Sequence, residues 1–308
     1  MRILLTGGAG FIGSTLLEKL QPAHAVTVLD DFNDYYDPRL KRANLNVTKA
    51  AVVEGDLRDP AVLAKAFDAA RPEAVIHLAA RAGVRPSIAD PMLYSSVNVA
   101  GTLGILEQCR KRGVKRFVFA SSSSVYGDSP RVPYREDEGD LRPISPYGVT
   151  KLLGEQYVRV YARLFGMRTT CLRFFTAYGP RQRPDMAIHL FARKILAGEE
   201  ITMFGDGTTR RDYTYVDDIV DGLIGALGHD EQFGIYNLGE SRTVELRELV
   251  AVLEKVLGVK AKIQRMAEQP GDVKQTFADI SKAKAAFGYA PKVGIEEGIA
   301  RFAAWMRR

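Results

Sequence analysis

A tyrosine and a lysine four residues apart, Tyr147 and Lys151, are the side chains of this sequence whose spacing best suits catalysis. An i, i+4 spacing puts both on one face of a helix. A free tyrosine has a pKa of about 10, so only about one molecule in a thousand is ionised at neutral pH. A nearby ammonium, together with positive charge on a bound ligand, favours the phenolate. The pair therefore predicts a general base that takes the proton of a hydroxyl group.

The surroundings of this pair distinguish it from the many similar pairs on surface helices. The run SSSSVYG (121–127) lies upstream of it and overlaps the end of a strand predicted at 116–122. Ser122 is then expected at the carboxyl end of a parallel sheet, beside the crevice where ligands bind in such folds. A helix with Tyr147 and Lys151 would face the same crevice.

The segment TGGAGFIG (6–13) predicts a phosphate-binding loop between a strand and a helix. Gly7 would allow the tight turn, Gly10 the close approach of the backbone to a pyrophosphate, and Gly13 the close packing of helix on strand. The unpaired N–H groups at the helix start would bind the phosphates. A glycine-rich turn without a ligand is the alternative, which the flanking strand and helix disfavour.

The second strand ends at Asp30, which favours NAD as the dinucleotide. A carboxylate there accepts hydrogen bonds from the adenosine ribose hydroxyls and repels the 2′-phosphate of NADP. Asn98 is a further candidate for binding the cofactor, although it could equally be an ordinary polar residue of a helix. The residues that we expect to bind the cofactor are Gly7, Gly10, Phe11, Ile12, Asp30, Asp31, Asn33, Asp56, Leu57, Leu78, Ala79, Ala80, Asn98, Tyr147 and Lys151.

The elements that must position these residues alternate along the first half of the chain. Short apolar runs predict strands at 2–6, 25–29, 51–55, 74–79, 116–122 and 167–175, and helical patterns lie at 12–20, 60–69, 91–112 and 146–165. Strands that alternate with helices indicate a parallel sheet built with right-handed crossovers. We expect an α/β fold, a Rossmann-type doubly wound parallel sheet.

The pattern loosens after about residue 175, which predicts a smaller α/β substrate-binding cap domain. A strand, a helix and a strand within 213–239 would return to the main sheet. We therefore expect a dinucleotide-binding domain at 1–175 plus 213–239, and a substrate-binding domain at 176–212 plus 240–308.

Composition excludes several other classes of protein. The net charge of +6 comes from scattered lysines and arginines, which indicates a solvated surface rather than a nucleic-acid site. No apolar run approaches the ~20 residues that a membrane span needs, and we expect a cytoplasmic protein. Cys109 and Cys171 show no metal-ligand spacing and predict buried thiols, so no metal is expected.

Several segments together resemble the extended short-chain dehydrogenase/reductases that act on nucleotide sugars. They are TGGAGFIG, HLAA, NVAGT, SSSSVYG, SPYGVTK and RRDYTYVDD, and they span essentially the whole chain. The resemblance implies that Ser122 hydrogen-bonds the reacting hydroxyl and Tyr147 takes its proton. Lys151 would hold the nicotinamide ribose and tune Tyr147.

Two serines narrow the reaction that the resemblance implies. The similar 4,6-dehydratases carry an Asp-Glu pair where this chain has Ser123 and Ser124, and the similar UDP-glucuronate decarboxylases carry Glu at the second position. Neutral hydroxyls leave only Tyr147 for proton transfer, which favours epimerisation. The keto sugar would rotate in the pocket and take the hydride back on its other face.

Further segments are similar to those of UDP-glucuronate 4-epimerases, namely DFNDYYD (31–37) followed by LKRANL, RFFTAYGPRQRPDM (173–186) and QPGDV (269–273). UDP-glucose 4-epimerases typically carry Asn at Thr176 and Arg at Gln269, and such an epimerase is the runner-up. Hydroxyl donors would bind the sugar carboxylate without clamping it as arginine does. The expected substrate-binding residues are Arg85, Ser122, Ser123, Ser124, Thr176, Arg183, Arg211 and Asp272.

Three arginines are candidates for binding the negatively charged parts of the substrate. Arg211 would bind the diphosphate, Arg183 the sugar or a phosphate, and Arg85 is a further candidate, although each could be a surface charge. Asp272 would reach the uridine ribose.

The resemblance implies a homodimer formed by the helices at 91–112 and 146–165. A UDP-glucuronate decarboxylase, a regulatory NAD sensor and a nucleic-acid-binding protein are weaker alternatives.

Overall fold

The computed structural model describes residues 1–46, 48–267 and 273–307. Its strands are β1 (Arg2–Thr6), β2 (Ala25–Asp30), β3 (Ala51–Glu54), β4 (Ala74–His77), β5 (Arg116–Ser122), β6 (Arg168–Phe174), β7 (Thr176–Tyr178), β8 (Glu200–Phe204), β9 (Arg210–Arg211), β10 (Tyr213–Tyr215), β11 (Phe233–Leu238), β12 (Val244–Glu245) and β13 (Lys262–Met266). Its α-helices are α1 (Phe11–Leu20), α2 (Pro38–Leu45), α3 (Pro60–Ala70), α4 (Val84–Ala89), α5 (Pro91–Ser95), α6 (Gly101–Lys111), α7 (Pro146–Phe165), α8 (Ala187–Leu196), α9 (Val216–Gly228), α10 (Leu246–Leu257), α11 (Ser281–Phe287) and α12 (Ile295–Met306).

The predicted parallel sheet is confirmed. Seven strands pair in the order β11-β6-β5-β4-β1-β2-β3, and every pair in this sheet is parallel. The sheet is buried on both faces because helices cover each side of it, and neighbouring side chains of a strand point alternately to the two sides. In β1, Leu5 belongs to the same core cluster as Leu16 of α1 and Leu223 of α9, whereas Leu4 belongs with Phe67 of α3 to a second cluster.

The later strands divide between the central sheet and small sheets. β11 extends the central sheet beside β6, as the pattern at 213–239 predicted. β10 instead pairs with β7 in a separate two-stranded parallel sheet, so this part of the segment does not return to the main sheet. β9 pairs with β12, and β8 pairs with β13.

One predicted helix is interrupted. The pattern at 91–112 forms α5, a π-helical turn at Ser96–Ala100, and α6. The turn contains Asn98, whose amide binds the backbone of Arg81 and the Thr150 hydroxyl. A wider turn of this kind often occurs at functional sites.

None of the helices in the described part of the chain has the length and apolarity that crossing a bilayer requires. Cys109 and Cys171 are both buried and free. Burial raises the pKa of both thiols.

Candidate functional site

A cavity of about 370 Å³ lies at the carboxyl ends of the central strands. Its lining includes most of the residues singled out from the sequence: Gly7, Gly10, Phe11, Ile12, Asp30, Asp31, Asn33, Leu57, Leu78, Ala79, Ala80, Ser122, Ser123, Ser124, Tyr147, Lys151, Thr176 and Arg183. Asp56, Asn98, Arg85 and Arg211 do not line it, and Asp272 lies outside the described residues.

The glycine-rich loop has the shape that a pyrophosphate site requires. Gly7 has a φ of +74°, and a Cβ there would lie 2.7 Å from the backbone nitrogen of Ala79. A Cβ on Gly13 would lie 2.1 Å from the carbonyl oxygen of Gly7, so helix α1 can approach the loop only with glycine at this position. No side chain caps the start of α1, whose first N–H groups remain available to an anion.

Asp30 stabilises this loop as well as lining the cavity. Its carboxylate accepts hydrogen bonds of 3.0 Å from the backbone N–H groups of Ala9 and Phe32. Burial raises the pKa of Asp30, and these two backbone bonds oppose that rise. The residue therefore joins the phosphate loop to the turn that follows β2, a role that its position in the sequence did not reveal.

Helix α7 carries Tyr147 and Lys151 into the cavity. Ser145 caps the helix by accepting a hydrogen bond from the N–H of Gly148, and proline at the first helical position favours the start there. The Lys151 ammonium donates to the carbonyl oxygen of Ala120 at 2.7 Å. It lies 5.9 Å from the centre of the Tyr147 ring.

The protein alone does not lower the pKa of Tyr147 in the way that the spacing suggested. Burial is the largest influence and raises it, whereas a hydrogen bond with Ser122 and the positive charge of Arg183 lower it. Burial also lowers the pKa of Lys151 to about 8, against the charge of Glu155. Arg183 is thus a cation near Tyr147 that the sequence argument did not assign to this role.

Two expected cofactor ligands have other structural roles. The Asp56 carboxylate is paired with the guanidinium of Arg58 at Nε–Oδ distances of 3.0 Å. Asn98 is 2% exposed, and its amide bonds with both the N–H and the carbonyl oxygen of Arg81. Asn98 therefore positions the segment after β4 and is not part of the cavity lining, and the cofactor contacts expected for Asp56 and Asn98 stay predictions.

Two of the expected substrate arginines lie outside the cavity lining. The guanidinium of Arg85 stacks 4.6 Å from the centre of the Phe204 ring. Arg211 lies on β9 and donates a hydrogen bond of 2.9 Å to the carbonyl oxygen of Arg210. Neither residue is therefore part of the cavity lining, and their expected role in binding the substrate stays a prediction.

Arg183 lines the cavity in a paired state. Its Nε and Nη2 donate to the Asp185 carboxylate at 2.9 and 2.8 Å, and its guanidinium lies 5.1 Å from the centre of the Tyr35 ring. The Tyr35 hydroxyl also donates to Asp185, at 3.4 Å. The segment after β2 is thereby joined to the segment before α8.

Sequence reasoning missed several lining residues. Tyr35, Tyr36 and Lys41 belong to the DFNDYYD and LKRANL segments, whose resemblance was noted without a role for these side chains. Lys41 is 5% exposed, and its ammonium donates to the backbone and side-chain oxygens of Asn33 at 2.7 and 2.9 Å. A lysine in an otherwise ordinary amphipathic helix gave no signal of this burial. Arg81 and Met186 also line the cavity.

The family model for the NAD dependent epimerase/dehydratase family matches residues 3–239 of this chain. The chain belongs to that family, which confirms the predicted resemblance and the NAD cofactor. The cavity fits such a cofactor, because only glycine leaves room beside the phosphate loop.

Relatives with assigned activities match nearly the full length of the chain. It is 42% identical to UDP-glucuronate 4-epimerase 3 of Arabidopsis thaliana over 98% of this chain and 76% of that protein. The structure of a UDP-glucuronic acid 4-epimerase from Bacillus cereus, in complex with UDP-glucuronic acid and NAD, superposes with a TM-score of 0.93 at 36% identity, covering 100% of this chain and 99% of that one. A UDP-glucose 4-epimerase from Thermus thermophilus in complex with NAD has the same identity and coverage and a TM-score of 0.92.

Proposed function

We propose that this protein is a UDP-glucuronate 4-epimerase, which interconverts UDP-glucuronate and UDP-galacturonate. The observation that carries the choice of reaction is the set of neutral hydroxyls around Tyr147. Ser122, Ser123, Ser124 and Thr176 line the cavity there. Among the described residues, the only carboxylates in the lining are Asp30, the last residue of β2, and Asp31, which follows it on the nucleotide side. A second acid–base group for dehydration is therefore missing from this lining.

Three side chains of the chain would carry the proton chemistry. The Ser122 hydroxyl holds the 4-hydroxyl of the sugar, and Tyr147 removes its proton as carbon 4 is oxidised. Lys151 would hold the nicotinamide ribose, and its positive charge would favour the Tyr147 phenolate. A bound NAD would supply the acceptor and the donor of the hydride at carbon 4. Tyr147 then gives the same proton back, and because the sugar has rotated, carbon 4 is inverted.

The hydroxyl groups also explain how a charged sugar can be bound and still turn. A carboxylate at carbon 5 needs hydrogen-bond donors, and Ser123, Ser124 and Thr176 supply them without forming a fixed bidentate clamp. Arg183 adds positive charge, which its pairing with Asp185 moderates. Hydrogen bonds from hydroxyl groups, without a bidentate clamp, favour rotation of the keto sugar over retention of one orientation.

The remaining substrate contacts rest on the resemblance alone. We assign Arg211 and Arg85 to the diphosphate and Asp272 to the uridine ribose on that basis. These residues belong to the later half of the chain or to the segment after β4.

We also propose the domain division 1–175 with 213–239, and 176–212 with 240–308. The pairing of β11 with β6 supports the return of the chain to the central sheet.

An apolar stripe on α7 supports the proposed homodimer. Val149, Leu153, Val160 and Leu164 recur on one side of the helix and are 41–65% exposed. A second copy of the same stripe would cover them in a two-fold symmetric contact. Light scattering should give the mass of a dimer, and the double variant Leu153→Glu/Leu164→Glu should give that of a monomer. A monomeric wild-type protein would refute the dimer.

A product assay on a panel of UDP-sugars tests the function. Purified protein with UDP-glucuronate should yield UDP-galacturonate, and the reverse, without net consumption of NAD. The similarity to the Thermus thermophilus enzyme makes UDP-glucose the essential competitor. Turnover of UDP-glucose far faster than of UDP-glucuronate would replace the assignment with a UDP-glucose 4-epimerase. Release of carbon dioxide would indicate a decarboxylase.

A further inference from the structure

The face of α7 that carries Tyr147 and Lys151 continues with a third ionisable residue, Glu155. The three are spaced four residues apart, so they lie in a row along the helix. Glu155 forms an ion pair with Arg173 of β6, and their side chains are 0% and 2% exposed. The proton chemistry described above uses neither of them.

Glu155 is held from two strands of the central sheet. Nε and Nη2 of Arg173 donate to its two carboxylate oxygens at 2.9 and 2.8 Å. The hydroxyl of Ser121, on β5, donates to the same carboxylate at 2.5 Å. The residue after Ser121 is Ser122, so this bond fixes the strand end that presents the proposed substrate-binding serine.

Burial of this pair needs an explanation other than stability. Removing two charges from water costs free energy, and their mutual attraction offsets only part of that cost. Apolar residues of similar volume at both positions often give a folded state that is at least as stable. Arg173 also lies 4.7 Å from the centre of the Tyr126 ring, which fixes its orientation. A paired carboxylate kept one helical turn from Lys151 is therefore better explained by what it does to that lysine.

We propose that Glu155 is a positioning residue of the epimerase reaction, which keeps Lys151 protonated and holds the end of β5 against α7. The proposal rests on the proposed roles of Lys151 and Ser122. It assigns no contact with the sugar or the cofactor to Glu155.

The groups around Lys151 leave Glu155 as its source of negative charge. From β5 it meets the carbonyl oxygen of Ala120 and the ring of Phe119, which lies 5.1 Å away. His77 of β4 is neutral at neutral pH, because burial lowers its pKa to about 3. On α7 itself lie Tyr147 and Glu155. Within the described residues, the charge of Glu155 is what opposes the lowering of the Lys151 pKa by burial.

Loss of the Glu155 charge should lower the pKa of Lys151. Burial already lowers this pKa and the Glu155 charge raises it again, so without that charge the pKa would fall further. Lys151 would then lose its proton at a lower pH. If the ammonium form is required, the alkaline limit of activity moves toward neutral pH.

The test is the pH dependence of the Glu155→Gln enzyme. We expect the alkaline limb of its kcat profile, measured with saturating NAD, to move down by about one pH unit. Because glutamine leaves Arg173 unpaired, the double variant Glu155→Gln/Arg173→Met is measured in parallel. It should show a smaller displacement in the same direction, because the loss of the Arg173 positive charge partly offsets the loss of the Glu155 negative charge. Glu297→Gln, which breaks an exposed pair with Arg301 on α12, is the matched control and should leave the profile unchanged.

A second readout separates this proposal from the choice of sugar. Calorimetric binding of NAD in the absence of any UDP-sugar should weaken at a pH about one unit lower in Glu155→Gln than in the wild type. That result supports the proposal even if UDP-glucuronate is not the substrate. If folded Glu155→Gln shows wild-type pH limits for both kcat and NAD binding, or if only the double variant folds and it shows them, Glu155 has only a structural role and the proposal is wrong.

Discussion

The Lys151 ammonium donates a hydrogen bond of 2.7 Å to the carbonyl oxygen of Ala120, which ties α7 to the end of β5. Ser122 follows two residues later on the strand, and Tyr147 precedes Lys151 by one turn of the helix. The bond therefore sets the spacing between the two elements that carry the proposed catalytic side chains. Lys151 binds the backbone here, while the Tyr147 hydroxyl bonds with Ser122.

Replacing Tyr147 by phenylalanine should remove the base while keeping the ring. General acid–base catalysis contributes about two to four orders of magnitude, so kcat should fall at least a hundredfold. NAD binding should change little, because the phosphate loop and Asp30 are untouched. Initial rates and NAD titration check this expectation. A variant that turns over UDP-glucuronate at the wild-type rate would exclude Tyr147 as the base.

Replacing Ser124 by glutamate should impair binding of the charged sugar selectively. Ser124 lines the cavity, and its backbone N–H donates to the Ser122 hydroxyl at 3.1 Å. A carboxylate there would repel the carboxylate of UDP-glucuronate, so its KM should rise about tenfold or more, corresponding to about 1.4 kcal/mol. The Ser124→Ala variant controls for the lost hydroxyl. Equal KM values for Ser124→Glu and Ser124→Ala would show that the sugar carboxylate lies elsewhere.

Replacing Gly13 by alanine should disrupt the phosphate loop. The new Cβ would lie 2.1 Å from the carbonyl oxygen of Gly7 and 2.8 Å from the Cα of Gly8, so backbone must move. Overpacking of this kind costs about 1–3 kcal/mol, and NAD affinity should fall about tenfold or more. Gly139→Ala is the control, since nothing lies within 4 Å of a Cβ there. Unchanged NAD affinity in Gly13→Ala would mean that the cofactor does not rest on this loop.

Acid should destabilise the protein partly through His77. Burial lowers its pKa to about 3, so in the folded state the ring stays neutral while the unfolded chain takes up a proton below pH 6.5. Stability is therefore lost as the pH falls, by about 2 kcal/mol between pH 7 and pH 5 from this residue. His77→Gln should show a pH dependence of unfolding that is shallower by that amount. Parallel curves for variant and wild type would contradict the assignment.

The features that could be predicted from the sequence are those set by local pattern. Apolar strands alternating with helices define the parallel sheet, and Gly7 and Gly13 can be interpreted because a turn and a close approach require glycine there. Tyr147 and Lys151 could be placed on one face because a helix has a fixed period. All of this information is local, within segments no longer than about thirty residues, roughly the length of one βαβ unit.

The features that could not be predicted depend on contacts between distant segments. Asn98 is an amide in a helical pattern, and only the fold brings it to the backbone of Arg81. Tyr35 meets Asp185 across 150 positions of sequence. Strand ends are fixed by pattern, whereas the partner of each side chain is fixed by tertiary packing.

The return of the same hydride to carbon 4 is the central claim, and isotope transfer tests it most directly. UDP-glucuronate labelled with deuterium at carbon 4 is incubated with the enzyme in ordinary water, and the UDP-galacturonate formed is examined by mass spectrometry and NMR. The account predicts that the product keeps its deuterium at carbon 4 with the configuration inverted. Loss of the label to solvent during inversion would contradict it.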